Sequence, residues 1–449
     1  MTAENRPNRA VEAVLPEDLE LTPQPQPVEA PPPEIMPADA AEDRSALAFL
    51  KVFKHRNYRL FFAGQLVSLM GTWITNVTQG WLVYSLTHSP LLLGVTTFAA
   101  AVPVFFFSVF GGALSDRFDK RRSLLVTQTL ACVQSALLAI LTLTHLITVW
   151  EIVALALFQG FINAFDVPIR QSMTLEMVGK DDLRAAISLN SMMFNLARVI
   201  GPTVGGILIA LVGPGVCFSI DALSYGAVIV SLYLMRFVPR PPVKHAAPLR
   251  AVKEGILYAW REREIRASLT LVAMCSAFGA AYLSLLPAFA RDVLHQGSEG
   301  LGFLYTGVGA GAFLGAYALA RVPDRHLFAT PVMAALSFGV SLILFSQSHW
   351  FGLSLVLLMP AAFSLMLLGG SANSIVQLVA RDDMRGRVVA LYAMAFLGMV
   401  PWGSLILGWV AEHFGTSRAV ATGGCICILA AIFVWHDRKD ARLKLRAAE

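Results

Sequence analysis

Two polar segments of the chain, Lys180-Asp-Asp-Leu-Arg184 and Arg381-Asp-Asp-Met-Arg385, repeat one pattern at an offset of 201 residues. Each segment immediately precedes a long apolar run. Trp150 and Trp350 are 200 residues apart and also stand at the start of apolar runs. The repetition indicates that the chain is a duplicated unit.

The composition places both copies of this unit in a membrane. The 449-residue chain is 56% hydrophobic and only 14% charged, whereas a soluble domain carries about 25% charged residues. Twelve apolar runs have the length of a membrane-spanning helix. They lie near 58–84, 91–114, 123–145, 149–170, 185–211, 216–236, 266–290, 300–320, 327–346, 351–378, 387–411 and 418–436. We therefore predict an all-α membrane protein with twelve transmembrane helices in two pseudo-symmetric six-helix bundles.

The amino-terminal segment differs from the rest in composition. Residues 1–45 hold nine of the 23 prolines, three basic residues and ten acidic residues, a net charge of −7 that leaves +12 elsewhere. Such a segment buries too little apolar area to offset its ordering entropy. The predicted organisation is a disordered acidic Pro-rich tail (1–45), an N-terminal bundle (46–236), a cytoplasmic linker (237–265), a C-terminal bundle (266–437) and a basic cytoplasmic tail (438–449).

Basic residues predict the orientation, because Lys and Arg stay on the cytoplasmic side. With both termini in the cytoplasm, every Lys and Arg except Arg198, Arg291 and Arg418 falls in a cytoplasmic segment or at the cytoplasmic end of a run. No apolar signal region follows Met1, so the first span is expected to direct insertion. We expect a multi-pass protein of the cell (inner) membrane with both termini in the cytoplasm.

Several functional classes lack support in the sequence. The five cysteines lie in apolar runs without metal-site spacing, and no nucleophile elbow, zinc-protease helix or phosphate-binding glycine loop is present. We expect no catalytic residue, no metal and no cofactor. The basic linker is interpreted as lying on membrane lipids rather than binding nucleic acid.

The loop after the second run reads Gly-Gly-Ala-Leu-Ser-Asp-Arg-Phe-Asp-Lys-Arg-Arg over residues 111–122. It resembles the cytoplasmic signature of the major facilitator superfamily. The resemblance implies a cytoplasmic gate in which the aspartate caps the helix beginning near Arg387 and the following arginine pairs with an acid ending the fourth helix. The gate residues implied here are Gly112, Asp116, Arg117, Arg121, Arg122 and Glu176.

The fifth run contains Ala-Arg-Val-Ile-Gly-Pro-Thr-Val-Gly-Gly over residues 197–206. It looks like the antiporter motif of the superfamily, with alanine at a first position that is normally glycine. In the family this element, here Gly201, Pro202, Gly205 and Gly206, is associated with exporters that exchange drug for proton. Proline and small residues bend such a helix and let it pack closely.

Further stretches narrow the resemblance to one branch. Residues 164–171, 183–190, 195–198 and 218–224 together look like the enterobactin-exporter and macrolide-efflux-like branch of the superfamily. The likeness runs through nearly the whole N-terminal half, while the C-terminal half matches mainly by span count and residues 381–385.

Polar side chains within spans predict a transport pathway, because they are costly in lipid and turn toward the protein interior or a water-filled cavity. They recur at helical spacing in the first, fourth and fifth runs. The candidate cavity residues are Gln65, Thr72, Asn76, Gln79, Gln159, Asn163 and Asn195. Interhelical hydrogen bonding is the alternative role of any one of them.

Four charged residues lie deeper. At about 1.5 Å rise per residue, Arg198 and Asp221 fall at similar depth, and Asp166 lies near Arg170 toward the cytoplasmic end. We hypothesise ion pairs of Arg198 with Asp221 and of Asp166 with Arg170. Either acid would carry a coupling proton, because desolvation raises a carboxyl pKa and a nearby arginine lowers it. A purely structural role of both pairs stays open.

These features predict a secondary active transporter that exports a small amphipathic organic molecule, a siderophore or drug-like compound, by alternating access in exchange for protons. The expected partners are the substrate, protons and lipids, and the expected state is a monomer. The alternatives are a proton-coupled importer or a lysophospholipid transporter of the same fold, a polytopic membrane enzyme, and a flippase or sensor.

Overall fold

The computed structural model describes residues 48–115, 119–179, 181–235 and 248–446. All regular structure in these ranges is helical. The predicted disorder of residues 1–45 lies outside the described residues.

The first half of the described chain forms six spans after a short 3₁₀ helix, Ala48–Lys54. The fifth and sixth spans share one helical stretch that changes direction at Gly213, where φ is +81°, a value that L side chains rarely adopt. We number them as residues 183–212 and 214–234. The bounds of the helical stretches are Arg56–Thr87, Pro90–Ser115, Lys120–Leu143, Val149–Val178 and Leu183–Leu234.

The second half begins with the linker helix, Pro248–Arg261. The seventh span, Arg263–Val293, contains two π-helical segments, Cys275–Ala280 and Phe289–Val293. The eleventh span is interrupted between Leu397 and Val400. The remaining spans are Ser298–Leu319, Thr330–Ser346, Phe351–Val379, Arg385–Leu397 continued by Val400–Phe414, and Thr416–Arg446.

The described spans number twelve, as predicted. Ten helices are long and apolar enough to cross a membrane, one of them is the double stretch Leu183–Leu234, and Thr330–Ser346 is a shorter apolar helix. Helices also continue beyond the apolar runs, to Val178 in the fourth span and to Arg446 in the twelfth. Hydropathy marks where the chain leaves the hydrocarbon, whereas backbone hydrogen bonding decides where the helix ends.

Small residues let the first span pack between the fifth and sixth. A Cβ at Gly64 would lie 2.9 Å from the carbonyl oxygen of Ala227, and one at Gly205 would lie 3.1 Å from the Cα of Ile74. Close backbone approach of this kind replaces hydrophobic exclusion as the attraction between helices in lipid. It fixes the rotation of the fifth span about its axis.

Candidate functional site: a polar cavity between the two halves

The two halves of the bundle touch at one end. We call the end that carries residues 88–89, 294–297 and 415 the distal end, and the end that carries residues 48–55 and 380–384 the proximal end. Near the distal end a Cβ at Gly206 of the fifth span would lie 2.7 Å from the Cα of Gly302 in the eighth span. The second and eleventh spans meet there as well.

Aromatic and small residues form the contact between the second and eleventh spans. The Phe98 and Trp402 rings are edge to face with centroids 4.9 Å apart. A Cβ at Gly408 would lie 2.9 Å from the carbonyl oxygen of Pro90, and one at Gly398 would meet Phe105 at 2.7 Å. The contact therefore extends from the distal end to about the middle of the bundle.

Hydrogen bonds join the two halves at the distal surface. Tyr84 donates a hydrogen bond to the Asp292 carboxylate, and the Ser89 hydroxyl donates to Glu412 at 2.8 Å. The amide of Leu91 donates to the same Glu412 oxygen at 3.2 Å. Tyr84, Asp292 and Glu412 border a cavity of about 440 Å³. We call the Tyr84, Ser89, Asp292 and Glu412 contacts the distal latch.

The middle of the fifth span contacts both halves of the bundle. Ala197 is buried, and Gly201 and Gly205, at i+4 and i+8, pack on Trp73 and Ile74 of the first span. Val199 packs against Gly309 of the eighth span. Two sides of the helix are thus fixed by contacts with both halves.

A third side of the same helix carries exposed apolar residues, namely Leu196, Ile200 and Ile207. The fourth side lies opposite them and carries Ser191, Asn195 and Arg198, of which the first two are exposed and the arginine half-buried. At 3.6 residues per turn this polar side faces the middle of the bundle. Exposed polar groups there indicate a water-filled cavity, open toward the proximal end.

The fourth span adds a second polar wall. The Gln159 amide donates to Asn163 at 3.2 Å, and the exposed apolar residues Leu157 and Phe161 lie on the opposite side of the helix. Gln159 and Asn163 are therefore placed toward the middle of the bundle, and their role in a substrate cavity stays a prediction.

The first span departs from the prediction in part. Asn76 is exposed and Gln79 half-buried, but Gln65 is only 3% exposed. Thr72 is half-buried and donates to the carbonyl oxygen of Ser68 at 3.0 Å. Gln65 lies among packed helices in this conformation because Gly64 beside it contacts the sixth span.

Asp166 forms the ion pair that the sequence analysis proposed. Its carboxylate lies 2.5 Å from an Arg170 guanidinium nitrogen. Its other oxygen accepts hydrogen bonds from Thr127 at 2.7 Å and Gln128 at 2.8 Å. The acid is buried while the Arg170 side chain is 25% exposed, so this pair connects the third span with the cavity wall.

The proposed Arg198 and Asp221 pair is wrong, because no ion pair joins these two described side chains. Asp221 is 1% exposed and accepts a hydrogen bond from Ser135 of the third span at 2.7 Å. A Cβ at Gly71 would lie 2.7 Å from its carboxylate. The two residues lie at similar depth in the membrane, but depth does not show in which direction around its helix a side chain points. Asp221 points between the first and third spans.

The third span supplies polar groups that the sequence analysis missed. Thr127, Gln128, Gln134 and Ser135 are all buried on one face of it. Thr127 and Gln128 donate to Asp166 of the fourth span, Ser135 donates to Asp221 of the sixth, and Gln134 donates to the carbonyl oxygen of Leu155. Their spacing of one, seven and eight residues is a helical stripe. The same test that found the other stripes would have found this one.

The implied cytoplasmic gate is described in part, since Asp116 and Arg117 lie outside the described residues. Glu176 pairs with Lys120 at 2.6 Å, and no arginine among the described residues pairs with it. Arg121 donates to the carbonyl oxygens of Leu232 and Tyr233 at 2.6 and 2.9 Å, and so ties the third span to the end of the sixth.

The remaining gate residues have local roles in the described region. The Asp119 carboxylate caps the third span by accepting from the backbone amide of Arg122 at 2.7 Å. Gly112 belongs to the last turns of the second span. These positions bring basic side chains to the proximal end, where the cavity opens.

Twelve spans in two halves around a central polar cavity define a transporter of the major facilitator type. The chain belongs to this superfamily, and a family model described as a transmembrane secretion effector matches residues 46–447.

Relatives of this chain include named transporters. The Staphyloferrin A transporter of Staphylococcus aureus is 26% identical over 86% of this chain and 98% of that protein. The multidrug efflux pump Tap of Mycolicibacterium fortuitum is 26% identical over 77% of this chain and 87% of that protein. The enterobactin exporter EntS of Shigella boydii is 24% identical over 60% of this chain and 64% of that protein.

Solved structures share the fold. The nucleoside transporter NupG matches with a TM-score of 0.66 at 12% identity, over 85% of this chain and 98% of that one. A bacterial homologue of the human lysosomal transporter Spinster, in an inward-facing and unoccupied conformation, matches with a TM-score of 0.64 at 13% identity, over 85% of this chain and 95% of that one.

Proposed function

We propose that the protein exports a small amphipathic organic molecule, a siderophore or drug-like compound, across the inner membrane in exchange for protons. The observation that carries this proposal is the polar cavity of the fourth and fifth spans, open at one end and closed at the other by contacts between the halves. The names of the relatives, which include a siderophore exporter and a multidrug efflux pump, support the substrate class and the direction.

In this proposal the described conformation is the inward-open one, with both termini in the cytoplasm. Substrate enters the cavity from the proximal end, the proximal ends of the two halves close, and the distal contacts separate. Alternating access needs such a pair of reciprocal contacts. The Gly201, Pro202, Gly205 and Gly206 element serves here as the packing surface that lets the fifth span bear on both the first and the eighth.

Asp166 is the acid that we propose as proton carrier, because it is the acid whose partner Arg170 reaches the cavity. Asp221 is enclosed by three spans and has no such route in this conformation. In proteoliposomes with an imposed pH gradient, Asp166→Asn should abolish proton-driven exchange and retain substrate equilibration. Asp221→Asn is the matched variant and should keep both. Normal exchange by Asp166→Asn would exclude it as the carrier.

A deletion strain tests the function as a whole. Cells lacking the protein are grown with and without iron and across a drug panel, and secreted metabolites are compared with susceptibility. If the protein is an exporter, the deletion strain should secrete less of one compound or be more sensitive to one of the drugs. Uptake into right-side-out vesicles, or movement of lysophospholipid alone, would instead support the importer or the lipid transporter of the same fold.

The linker helix is proposed to contact membrane lipids. Ile256, Leu257 and Trp260 are exposed on it, while Glu254 pairs with Arg387 at the start of the eleventh span. An amphipathic helix with an exposed tryptophan suits the headgroup region.

We propose that the chain works as a monomer. Light scattering of the protein in detergent should show a single species of monomer mass.

A further inference from the structure

Arg198 is a cation at mid-depth of the bundle that has no partner among the described residues. No hydrogen bond or ion pair joins it to any side chain in the described ranges, whereas Arg170, one helix away, is paired with Asp166. Arg198 lies on the side of the fifth span that faces the middle of the bundle. The cavity therefore contains a guanidinium whose five donors are unused.

The opposite half offers no countercharge. The sequence has no Asp or Glu in residues 266–290, 300–319, 331–346, 351–379, 388–411 or 418–435, which form the interior of the six C-terminal spans. Asp221 is turned away toward Ser135. A charged side chain in a membrane is retained only when something compensates it, and none of these residues does so for Arg198.

A second unused donor belongs to the other half. Tyr282 of the seventh span is buried, and its hydroxyl has no hydrogen-bond partner among the described residues. The tyrosine lies within electrostatic range of Arg198. Its ring packs edge to face with Phe338 and Phe345, with both centroids 6.4 Å away.

We propose that Arg198 and Tyr282 bind an anionic oxygen group, a carboxylate or sulfonate, on the transported molecule. The inference rests on the proposed function and names the substrate class of that cavity: organic anions. Guanidinium and phenol together satisfy such a group with charge-assisted hydrogen bonds. Trp73 of the first span and Phe194 of the fifth have ring centroids 5.8 Å apart. These two rings offer an apolar surface for the rest of the transported molecule.

Binding of an anion at this site is also coupled to the conformational change of the protein. Arg198 belongs to the N-terminal half and Tyr282 to the C-terminal half, so one bound anion bridges the two. A ligand shifts a conformational equilibrium only through contacts that differ between the states. An anion held from both sides favours the state in which the halves approach each other around it.

The first experiment measures the charge of the cavity without any substrate. In the full-length protein with its five cysteines replaced, Asn195→Cys is modified with methanethiosulfonate reagents that carry a sulfonate or a trimethylammonium group. Asn195 is one turn from Arg198. We expect Arg198→Gln to lower the ratio of sulfonate to ammonium rates by about tenfold, because a charge one helical turn away acts at the effective dielectric constant of about 20 that applies near a protein surface.

Two control variants accompany it. Arg198→Lys keeps the charge and should keep the ratio. Arg184→Gln removes an exposed arginine eleven residues from Asn195 on the same span, about 16 Å along the helix, and should change the ratio less than twofold because salt screens charges at that distance. An unchanged ratio in Arg198→Gln would overturn the proposal.

The second experiment uses transport. In cells that express each variant, we expect Arg198→Gln and Tyr282→Phe to lose export of anionic compounds at least fivefold and to keep that of neutral ones, with Arg198→Lys close to wild type. Equal export of both classes by Arg198→Gln overturns the anion site and leaves export intact. If the wild type exports nothing while the reagent ratio still falls, the proposed function fails and the anion site stands.

Discussion

Gly206→Ala should open the distal end. The added Cβ would lie 2.5 Å from the carbonyl oxygen of Ser298 and 2.7 Å from the Cα of Gly302. Both atoms are backbone atoms of the eighth span and cannot rotate away. Overpacking of this kind costs about 1–3 kcal/mol, and the cost falls on the closed distal contact because the two spans belong to different halves.

The expected shift follows from that range. Since about 1.4 kcal/mol is a factor of ten, the population ratio of distal-open to distal-closed molecules should rise about 5- to 150-fold. The assay is the labelling rate of Asn195→Cys by a membrane-impermeant maleimide applied from the proximal side. The rate should fall as the cavity closes to that side.

Two other glycines serve as controls. Gly226→Ala in the sixth span has no atom within 4 Å of the new Cβ and should label as wild type. The Cβ added by Gly205→Ala would lie 3.1 Å from the Cα of Ile74. Both residues belong to the N-terminal half, so this substitution should reduce the yield of folded protein and leave the labelling rate unchanged. If Gly206→Ala also labels as wild type, the contact does not control access.

Two further predictions concern polar contacts. Tyr84→Phe removes the hydrogen bond to Asp292, and at about 1.5 kcal/mol for a hydrogen bond to a charged group it should raise the population ratio of distal-open to distal-closed molecules about tenfold and so lower proximal labelling; an unchanged rate would remove Tyr84 from the distal latch. The Lys54 ammonium and His55, hydrogen-bonded to Asp182, lower the pKa of its carboxyl below 3.8, so their contribution to stability is full above that pH and lost as the pH falls through the lowered value. Asp182→Asn should therefore lower the unfolding temperature at pH 7 and have a progressively smaller effect as the pH falls below the usual carboxyl range, and an effect that does not change with pH would contradict the assignment.

The sequence predicted the fold well because the membrane imposes a simple rule. Every span must be apolar for about 20 residues, and the repeat around Arg184 and Arg385 relates the halves. What hydropathy could not show is where helices join or change type. Gly213 replaces the expected loop between the fifth and sixth spans, and the π-helical segment Cys275–Ala280 has no signal in composition.

The charged residues show the same limit at the level of the site. Asp166 and Arg170 are four residues apart on one helix, so their contact follows from local geometry. Arg198 and Asp221 lie on different helices, and their contact depends on how each helix is rotated. That rotation is set by glycines such as Gly71 and Gly205, whose neighbours no single sequence reveals.

Pulsed electron paramagnetic resonance in lipid tests the central claim, that the halves open at one end as they close at the other. One pair of labels is placed at Ser188 and Ala393 on the proximal parts of the fifth and eleventh spans, and a second pair at Leu211 and Glu299 at the distal end. From wild type to Gly206→Ala, the first distance should shorten and the second should lengthen. Distances that stay constant, or that change together in one direction, would contradict alternating access around this cavity.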